Sequence, residues 1–320
     1  MLSAYMPGET TAFAFTGEKA ERLRKKLPEV EITLAADEAG LLASLPEADA
    51  VAVWRFRPEW FAAAPKLKVV ATPAAGRDYF QVEAPPGVEL WYGGFHGPFM
   101  AETALGMMLA CARGLLPARS QAERGAIWPR AAVGDAARLL RGAKVVVVGF
   151  GRIGAAVGRL ASLVGARIIG VKRSASPRPE WMRADDRIVG SDVLDAELPD
   201  ADHVVLTLPR APDTDRLFDA RRLALLPARA FLYNLGRGNA IDESALADAC
   251  RCGRLAGACL DVTAAEPPPA DAPVVGAANI WLLPHTSACA PEYMDYFVDE
   301  FAERWRARFP ARPGMRSFFA

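Results

Sequence analysis

The most constraining stretch of the chain is a run of valines, Val145 to Val148, that leads straight into Gly149-Phe150-Gly151-Arg152-Ile153-Gly154. Ala155 to Leu163 follows, with a composition that suits a helix. A G-x-G-x-x-G by itself is weak, but with a strand before it and a helix after it the pattern acquires a mechanism. Gly149 permits a tight turn, and Gly151 lets backbone approach a pyrophosphate. Gly154 lets the helix pack close on the strand, leaving free N–H groups at the helix N-terminus for an anion. The reading is a βαβ unit that binds a dinucleotide.

The end of the second strand decides which dinucleotide, because an acid about 20 residues on would take the ribose hydroxyls. Val171-Lys172-Arg173-Ser174 stands there, with no carboxylate. Two cations and a hydroxyl suit a 2′-phosphate, and the Arg fork matches two phosphate oxygens. NADP is therefore expected ahead of NAD. If Lys172 and Arg173 are only a solvated strand end, the site is indifferent between the two. A methyltransferase also uses a glycine-rich loop after a strand, but it normally wants an acid at the next strand end, and Lys172 argues against it.

At roughly 150 residues per domain, 320 residues argue for two domains, and 52% hydrophobic residues supply two cores. With 38 Lys and Arg against 38 Asp and Glu, no global field draws the chain to nucleic acid or anionic lipid. The longest stretch without a charge, Ala272 to Pro291, contains Pro273, Asn279, Pro284 and His285, which rejects a membrane span. Glu9 precedes the first basic residue, Lys19, which is not the order of a secretory signal. A cytoplasmic location is expected. The cysteines at 111, 250, 252, 259 and 289 are odd in number and read as reduced thiols. Cys250 and Cys252 read as neighbours near a helix end, with no second pair to complete a metal site.

Short apolar runs at Phe13 to Phe15, Val30 to Leu34, Val51 to Trp54, Val69 to Thr72 and Val88 to Trp91 alternate with polar segments. That alternation predicts a parallel sheet covered by helices. Met100 to Arg113, with Pro98 ahead and Gly114 behind, reads as one mostly buried helix connecting the domains. Its Met107 and Met108 read as core or oligomer packing. A second series of strands begins at Lys144 and continues through Arg167 to Val171, His203 to Leu208, Phe231 to Leu235, Leu255 to Leu260 and Ile280 to Leu283.

Three polar residues stand where strand ends should open into a ligand crevice: Arg237, Glu266 and His285. Together they suffice for hydride chemistry on a keto acid. The Arg binds a carboxylate and polarises the carbonyl, the His protonates the oxygen, and the Glu orients the imidazole and favours its charged form. Taken singly they also read as a surface Arg, a Glu at a Pro turn and a His at a strand end.

The motifs extend well beyond these residues. Ala75-Gly76-Arg77-Asp78, Met100-Ala101-Glu102 and Leu140-Arg141-Gly142 precede the glycine loop. Leu206-Thr207-Leu208-Pro209 with Thr214, Gly236-Arg237-Gly238 with Asp242-Glu243, Asp261-Val262, Glu266-Pro267 and Pro284-His285 follow it. In this order, from about Ala71 to His285, the chain resembles the D-isomer-specific 2-hydroxyacid dehydrogenases. That family includes glyoxylate/hydroxypyruvate reductases, phosphoglycerate dehydrogenases, formate dehydrogenases and phosphite dehydrogenases, and the chain looks most like the glyoxylate/hydroxypyruvate reductase branch. The resemblance implies an α/β fold of two doubly wound parallel-sheet domains. A Rossmann cofactor domain, 99–286, would be inserted in a flavodoxin-like substrate domain made of 1–98 and 287–320.

The resemblance also implies roles. Arg237, Glu266 and His285 match the family's catalytic residues, and Arg152 with Ile153 match its pyrophosphate pair. Leu208, Pro209, Thr214, Leu235, Gly236, Asp261 and Ser287 match positions along the cofactor, Asp261 near the nicotinamide amide. The Ala75 and Gly76 amides match the loop that holds the substrate carboxylate. His96 sits where relatives present a polar side chain to the substrate, or is a hinge-loop imidazole; His203 reads as structural. Trp54, Arg55 and Arg57 are candidates for the cleft, and Trp128 and Arg130 for a contribution from a neighbouring subunit of a homodimer. Departures are Lys172 for the usual acid, Thr263 where an aromatic is common, and a loose Ala272-Pro273-Val274-Val275. The expected activity is hydride transfer between NADP(H), with NAD as the second choice, and a small 2-keto or D-2-hydroxy acid such as glyoxylate or hydroxypyruvate. Family members acting on phosphite, formate or larger hydroxy acids, and a dinucleotide-sensing corepressor, are the alternatives.

Overall fold

The computed structural model describes residues 1–310. The chain divides into two compact units, one formed by Met1–Phe95 together with the chain from Cys289 onward, the other by His96–Ala288. Residues 311–320 of the expected 287–320 segment lie outside the described residues.

The first unit runs β1 (Leu2–Tyr5), α1 (Gly17–Lys26), β2 (Ile32–Leu34), α2 (Glu38–Ser44), β3 (Ala50–Val53), α3 (Trp60–Ala63), β4 (Val69–Thr72) and β5 (Glu89–Tyr92). Its five strands are parallel in the order β2-β1-β3-β4-β5, the flavodoxin-like arrangement. The second unit follows with α4 (Gly97–Ala112), α5 (Leu115–Glu123), α6 (Arg130–Ala136), β6 (Lys144–Val148), α7 (Arg152–Leu163), β7 (Arg167–Lys172) and β8 (Arg187–Gly190). It continues through α8 (Leu194–Glu197), β9 (His203–Leu206), α9 (Ala220–Leu223), β10 (Phe231–Asn234), α10 (Glu243–Arg251), β11 (Gly257–Leu260) and β12 (Ile280–Leu282). The chain then returns to the first unit as α11 (Tyr293–Arg308), which packs on α1. The seven strands of the second sheet are parallel in the order β12-β11-β10-β9-β6-β7-β8. Both sheets are therefore doubly wound, the second switching direction at β6.

Alternation along β6 supplies both faces of this sheet. Val146 and Val148 enter one core with Ile169, Leu206 and Leu232, while Val145 and Val147 enter the other with Ile168, Tyr233 and the buried stripe of α4. Val145, Val146 and Val147 are fully buried, each contributing about 1.5–3 kcal/mol. Met107 and Met108 lie in the second of these cores, where α4 packs on α7. No single described helix is long and apolar enough to cross a membrane.

Two sequence expectations need correction, and one strand gave no signal in the sequence. Phe13 to Phe15 is not a strand: Thr11–Phe13 is a 3-10 turn, and Phe13 is apolar because its ring meets Tyr293 and Trp54 edge-on. The first strand is instead Leu2–Tyr5, a four-residue run interrupted by Ser3. The edge strand β8, with arginine at its head, carries too short an apolar run to signal itself. The α4 helix also starts earlier than expected, at Gly97, with Pro98 in its first turn, where the missing N–H costs nothing.

Candidate active site

The strands of the second sheet end in register. Val148 pairs with Leu206, Leu206 with Asn234, Asn234 with Leu260, and Leu260 with Leu282. The loops that leave these ends carry, in spatial order, the glycine loop, Leu208-Pro209, Leu235-Gly236-Arg237, Asp261 to Glu266, and His285. Residues spread over more than a hundred positions of sequence thus emerge from one edge of one sheet, where an open α/β fold binds its ligands.

The glycine loop is braced from both neighbours of β6. The amides of Gly149 and Phe150 donate to the Val171 carbonyl, each at 2.9 Å, and the Thr207 hydroxyl donates to the Gly149 carbonyl at 2.9 Å. Gly149 has φ +95°, a conformation that side-chain-bearing residues rarely adopt. The following helix α7 starts at Arg152 after Gly151 as its cap residue, with no side-chain cap and no acid in its first turn. Its first amides, and the positive end of its dipole, are thus left for an external anion. A Cβ at Gly151 would meet nothing closer than 3.9 Å, so the protein leaves room there. These features, at the start of α7 where Arg152 and Ile153 stand, fit the pyrophosphate of a dinucleotide. At the end of β7, Lys172 is partly exposed and Arg173 and Ser174 are exposed. Leu208 and Pro209 follow β9, and Thr214 is buried, tying its own loop together.

Asn234, fully buried at the end of β10, shapes the arginine loop. Its side-chain oxygen accepts from the Gly236 amide and its amide nitrogen donates to the Arg237 carbonyl, both at 3.0 Å. Arg237 is half-buried and its Nη1 donates to the Gly236 carbonyl at 2.8 Å. The next residue brings two loops into backbone contact: a Cβ at Gly238 would lie 1.9 Å from the Thr263 carbonyl carbon. Only glycine allows that approach.

The loop on the other side of this contact carries Glu266. Its Oε1 accepts from the Thr263 amide at 3.1 Å, and the Ala264 amide donates to Glu243 at the start of α10 at 2.7 Å. The other oxygen, Oε2, lies 2.7 Å from Nδ1 of His285. His285 has φ +53°, and such a conformation costs a non-glycine residue about 1–3 kcal/mol. Asp261 offsets it. The carbonyl of Asp261 accepts from the His285 amide at 2.9 Å, and its buried carboxylate accepts from the amides of Thr286 and Ser287 at 2.8 and 3.0 Å. Ser287 is fastened again where its carbonyl accepts the Thr103 hydroxyl from α4.

Electrostatics follow from this geometry. The hydrogen bond that His285 donates to Glu266 raises His285 above its ordinary range, outweighing burial; the charges of Glu266 and Asp261 add to the rise and that of Arg237 opposes it. Burial would push Glu266 up, but His285, the Thr263 amide and Arg237 together hold it below its usual value. The pair is 41% and 38% exposed. His96, buried just ahead of α4, is pushed down to about 4 by burial and by the charge of Arg237. It stands neutral beside that guanidinium. His203 is likewise held neutral, pushed down to about 4 by burial, with its Nδ1 2.9 Å from the buried Tyr233 hydroxyl.

Arg237 therefore lies within electrostatic reach of Glu266, His285 and His96, and Asp261 within reach of His285. Ala75 and Gly76 belong to the first unit, after β4 and just ahead of the 3-10 turn Arg77–Tyr79. In that unit Trp54 stacks on Tyr293, and Arg57 pairs with Glu38 and lies over Trp60. Trp128 is 82% exposed. Sequence reasoning assigned no role to Asn234, because a buried side chain that bridges two backbone groups of its own loop leaves no pattern beyond a polar residue at a strand end.

Residues 105–287 match the family described as D-isomer specific 2-hydroxyacid dehydrogenase, NAD binding domain. The chain is 34% identical over 278 residues to D-3-phosphoglycerate dehydrogenase of Mycobacterium tuberculosis, covering 84% of this chain and 51% of that protein. It thus spans about half the length of the mycobacterial relatives. Glyoxylate reductase of Thermococcus onnurineus is 33% identical over 240 residues, 71% of this chain and 70% of that one. Among solved structures, a D-isomer specific 2-hydroxyacid dehydrogenase from Xanthobacter autotrophicus Py2, in complex with NADPH and MES, superposes with TM-score 0.75 at 27% identity over 97% of this chain and 96% of that chain. With an uncapped glycine loop at the switch point, an Arg, a Glu–His pair at the neighbouring strand ends, and relatives of this kind, the chain belongs to the D-isomer-specific 2-hydroxyacid dehydrogenase family.

Proposed function

We propose that the chain reduces a small 2-keto acid, such as glyoxylate or hydroxypyruvate, to its D-2-hydroxy acid with NADPH. The observation that carries this reading is the 2.7 Å contact between His285 Nδ1 and Glu266, with the charge of Arg237 beside it. A reduced nicotinamide, when bound, supplies the hydride. Arg237 draws the substrate carboxylate and polarises the carbonyl. His285, kept protonated by Glu266, gives its proton to the carbonyl oxygen as negative charge develops there. Asp261 holds the histidine loop in its left-handed turn, and Asn234 holds the arginine loop, so neither group reorganises during reaction. In the first unit, the amides of Ala75 and Gly76 are proposed to hold a carboxylate.

Lys172, Arg173 and Ser174, in place of an acid, support NADP, as does the NADPH in the Xanthobacter relative. The test is loss of reduced-nicotinamide absorbance with NADPH and NADH in parallel over glyoxylate, hydroxypyruvate, pyruvate and phenylpyruvate. Oxidation of D-3-phosphoglycerate is a further arm, motivated by the mycobacterial relatives. Turnover with NADPH and a small keto acid is expected; tight NADPH binding with no turnover of any acid would overturn the reading in favour of a sensor. Exchanging Lys172 and Arg173 for Asp and Ser is expected to reverse cofactor preference, and an unchanged ratio of kcat/KM values would remove the NADP assignment.

We also propose a homodimer. Between Leu115 and Leu139 the chain exposes Leu115, Ile127, Trp128 and Leu139, at 64%, 97%, 82% and 65%, an arrangement more typical of an interface than of a solvated surface. Sedimentation at assay concentration is expected to give twice the chain mass, and a monomer would refute it.

A further inference from the structure

We propose that Asp213 sets how strongly the adenosine end of the cofactor site distinguishes a 2′-phosphate from a 2′-hydroxyl. The inference rests on the NADP reading above and deepens it. Arg173, the first residue after β7, has its Nη2 3.7 Å from the Asp213 carboxylate. Asp213 belongs to the loop after β9, and β7 and β9 flank β6 on opposite sides. The pair therefore joins two loops that leave strands on opposite sides of β6, the strand that leads into the glycine loop. The family's usual acid would arrive at the end of β7 itself, where Lys172 stands.

The presentation of Asp213 is fixed by its turn. Pro212–Thr214 forms a 3-10 turn in which the Thr214 hydroxyl lies 3.0 Å from the Pro209 carbonyl and 2.8 Å from that of Ala211, and accepts the Ala211 amide at 3.0 Å. The side chains of Arg173 and Asp213 are 87% and 62% exposed, so the pair is a loose one. An exposed pair of this kind is weakly held, and neither partner is withdrawn from a ligand.

The two cofactors read such a pair differently. A 2′-phosphate carries about two negative charges, as a phosphate monoester does. It is drawn by Lys172 and Arg173 but repelled by Asp213, which also competes for the Arg173 fork. A 2′-hydroxyl is uncharged and can donate a hydrogen bond to the Asp213 carboxylate. Asp213 thus opposes the cations that favour NADP and keeps NAD usable.

The test measures binding without turnover. Dissociation constants of 2′,5′-ADP and 5′-AMP are determined by titration calorimetry for the wild-type protein, Asp213→Asn, and the Lys172→Asp/Arg173→Ser variant, at low and high salt. Asp213→Asn is expected to shift the ratio of the two constants toward 2′,5′-ADP by about three- to fivefold, as removal of one exposed charge allows, and the shift should shrink as salt rises. A ratio unchanged in Asp213→Asn, while Lys172→Asp/Arg173→Ser weakens 2′,5′-ADP, overturns the role of Asp213 and leaves the NADP reading intact. If Lys172→Asp/Arg173→Ser leaves 2′,5′-ADP binding unchanged, the NADP reading falls and this inference falls with it.

Discussion

His285→Ala is expected to lower kcat for keto-acid reduction by at least about two orders of magnitude, the usual scale of general acid catalysis, while the dissociation constant for NADPH stays unchanged. The variant removes the only part of the Glu266–His285 pair that can give up a proton near neutral pH, and it touches none of the glycine-loop contacts. Comparable turnover would remove His285 from the mechanism. A pH profile separates the proton role from mere packing. Glu266 holds His285 above the ordinary imidazole range of about 6.5, so its protonated form, the one reduction needs, persists to higher pH. The reductive rate is then expected to fall as pH rises through that raised value, and oxidation of the hydroxy acid, which needs the neutral ring, to rise over the same interval. In Glu266→Gln the largest cause of the rise is gone, and the alkaline limb of the reductive profile should move to lower pH. A limb that stays in place would mean another group titrates.

Gly238→Ala is expected to be nearly as damaging, although the residue carries no functional group. Its added methyl would fall 1.9 Å from the Thr263 carbonyl carbon and 2.0 Å from its oxygen, and backbone on both sides of that clash belongs to the site. One loop bears Arg237, the other Glu266. The loops must part, and displacement of about 1 Å at a catalytic group is enough to cost about a hundredfold in rate. A fall in kcat of that order is therefore expected, with a lowered Tm. Binding of NADPH reads out whether the glycine loop, braced separately by Thr207 and Val171, has stayed in place. Wild-type kcat in Gly238→Ala would mean that the contact between the loops is not required for catalysis.

Much of this was legible in the chain because the informative signals are short-range. Val145 to Val148 followed by the glycine loop declares strand, turn and helix within twenty residues, and the repeated apolar runs mark most strands of the second sheet as central and parallel. Arg237, Glu266 and His285 each announced themselves as a polar residue where an apolar run stops. That Glu266 orients His285 was expected, but the geometry that brings them together was not legible, because it depends on the register of β11 and β12 and on the left-handed backbone at His285. Nor was the work of Asp261, for which the resemblance implied a place near the nicotinamide amide but whose carboxylate accepts the amides of Thr286 and Ser287. Phe13 misled for the opposite reason: its hydrophobicity serves an aromatic contact with Tyr293, far along the chain, and period-two reasoning cannot separate that from a strand.

The strand that delivers His285 is the shortest of the seven-stranded sheet, Ile280–Leu282, and it lies at the edge, hydrogen-bonded to β11 alone. Amide protons in such a strand exchange by small openings that leave the core closed, whereas those of β6 and β9 wait for the whole unit to open. The residue proposed as proton donor is thus mounted on an edge strand held by a single neighbour. Asp261, which accepts the three amides that follow, ties the end of that strand back to β11, so that losing its carboxylate is expected to speed amide exchange at this edge before it touches the core.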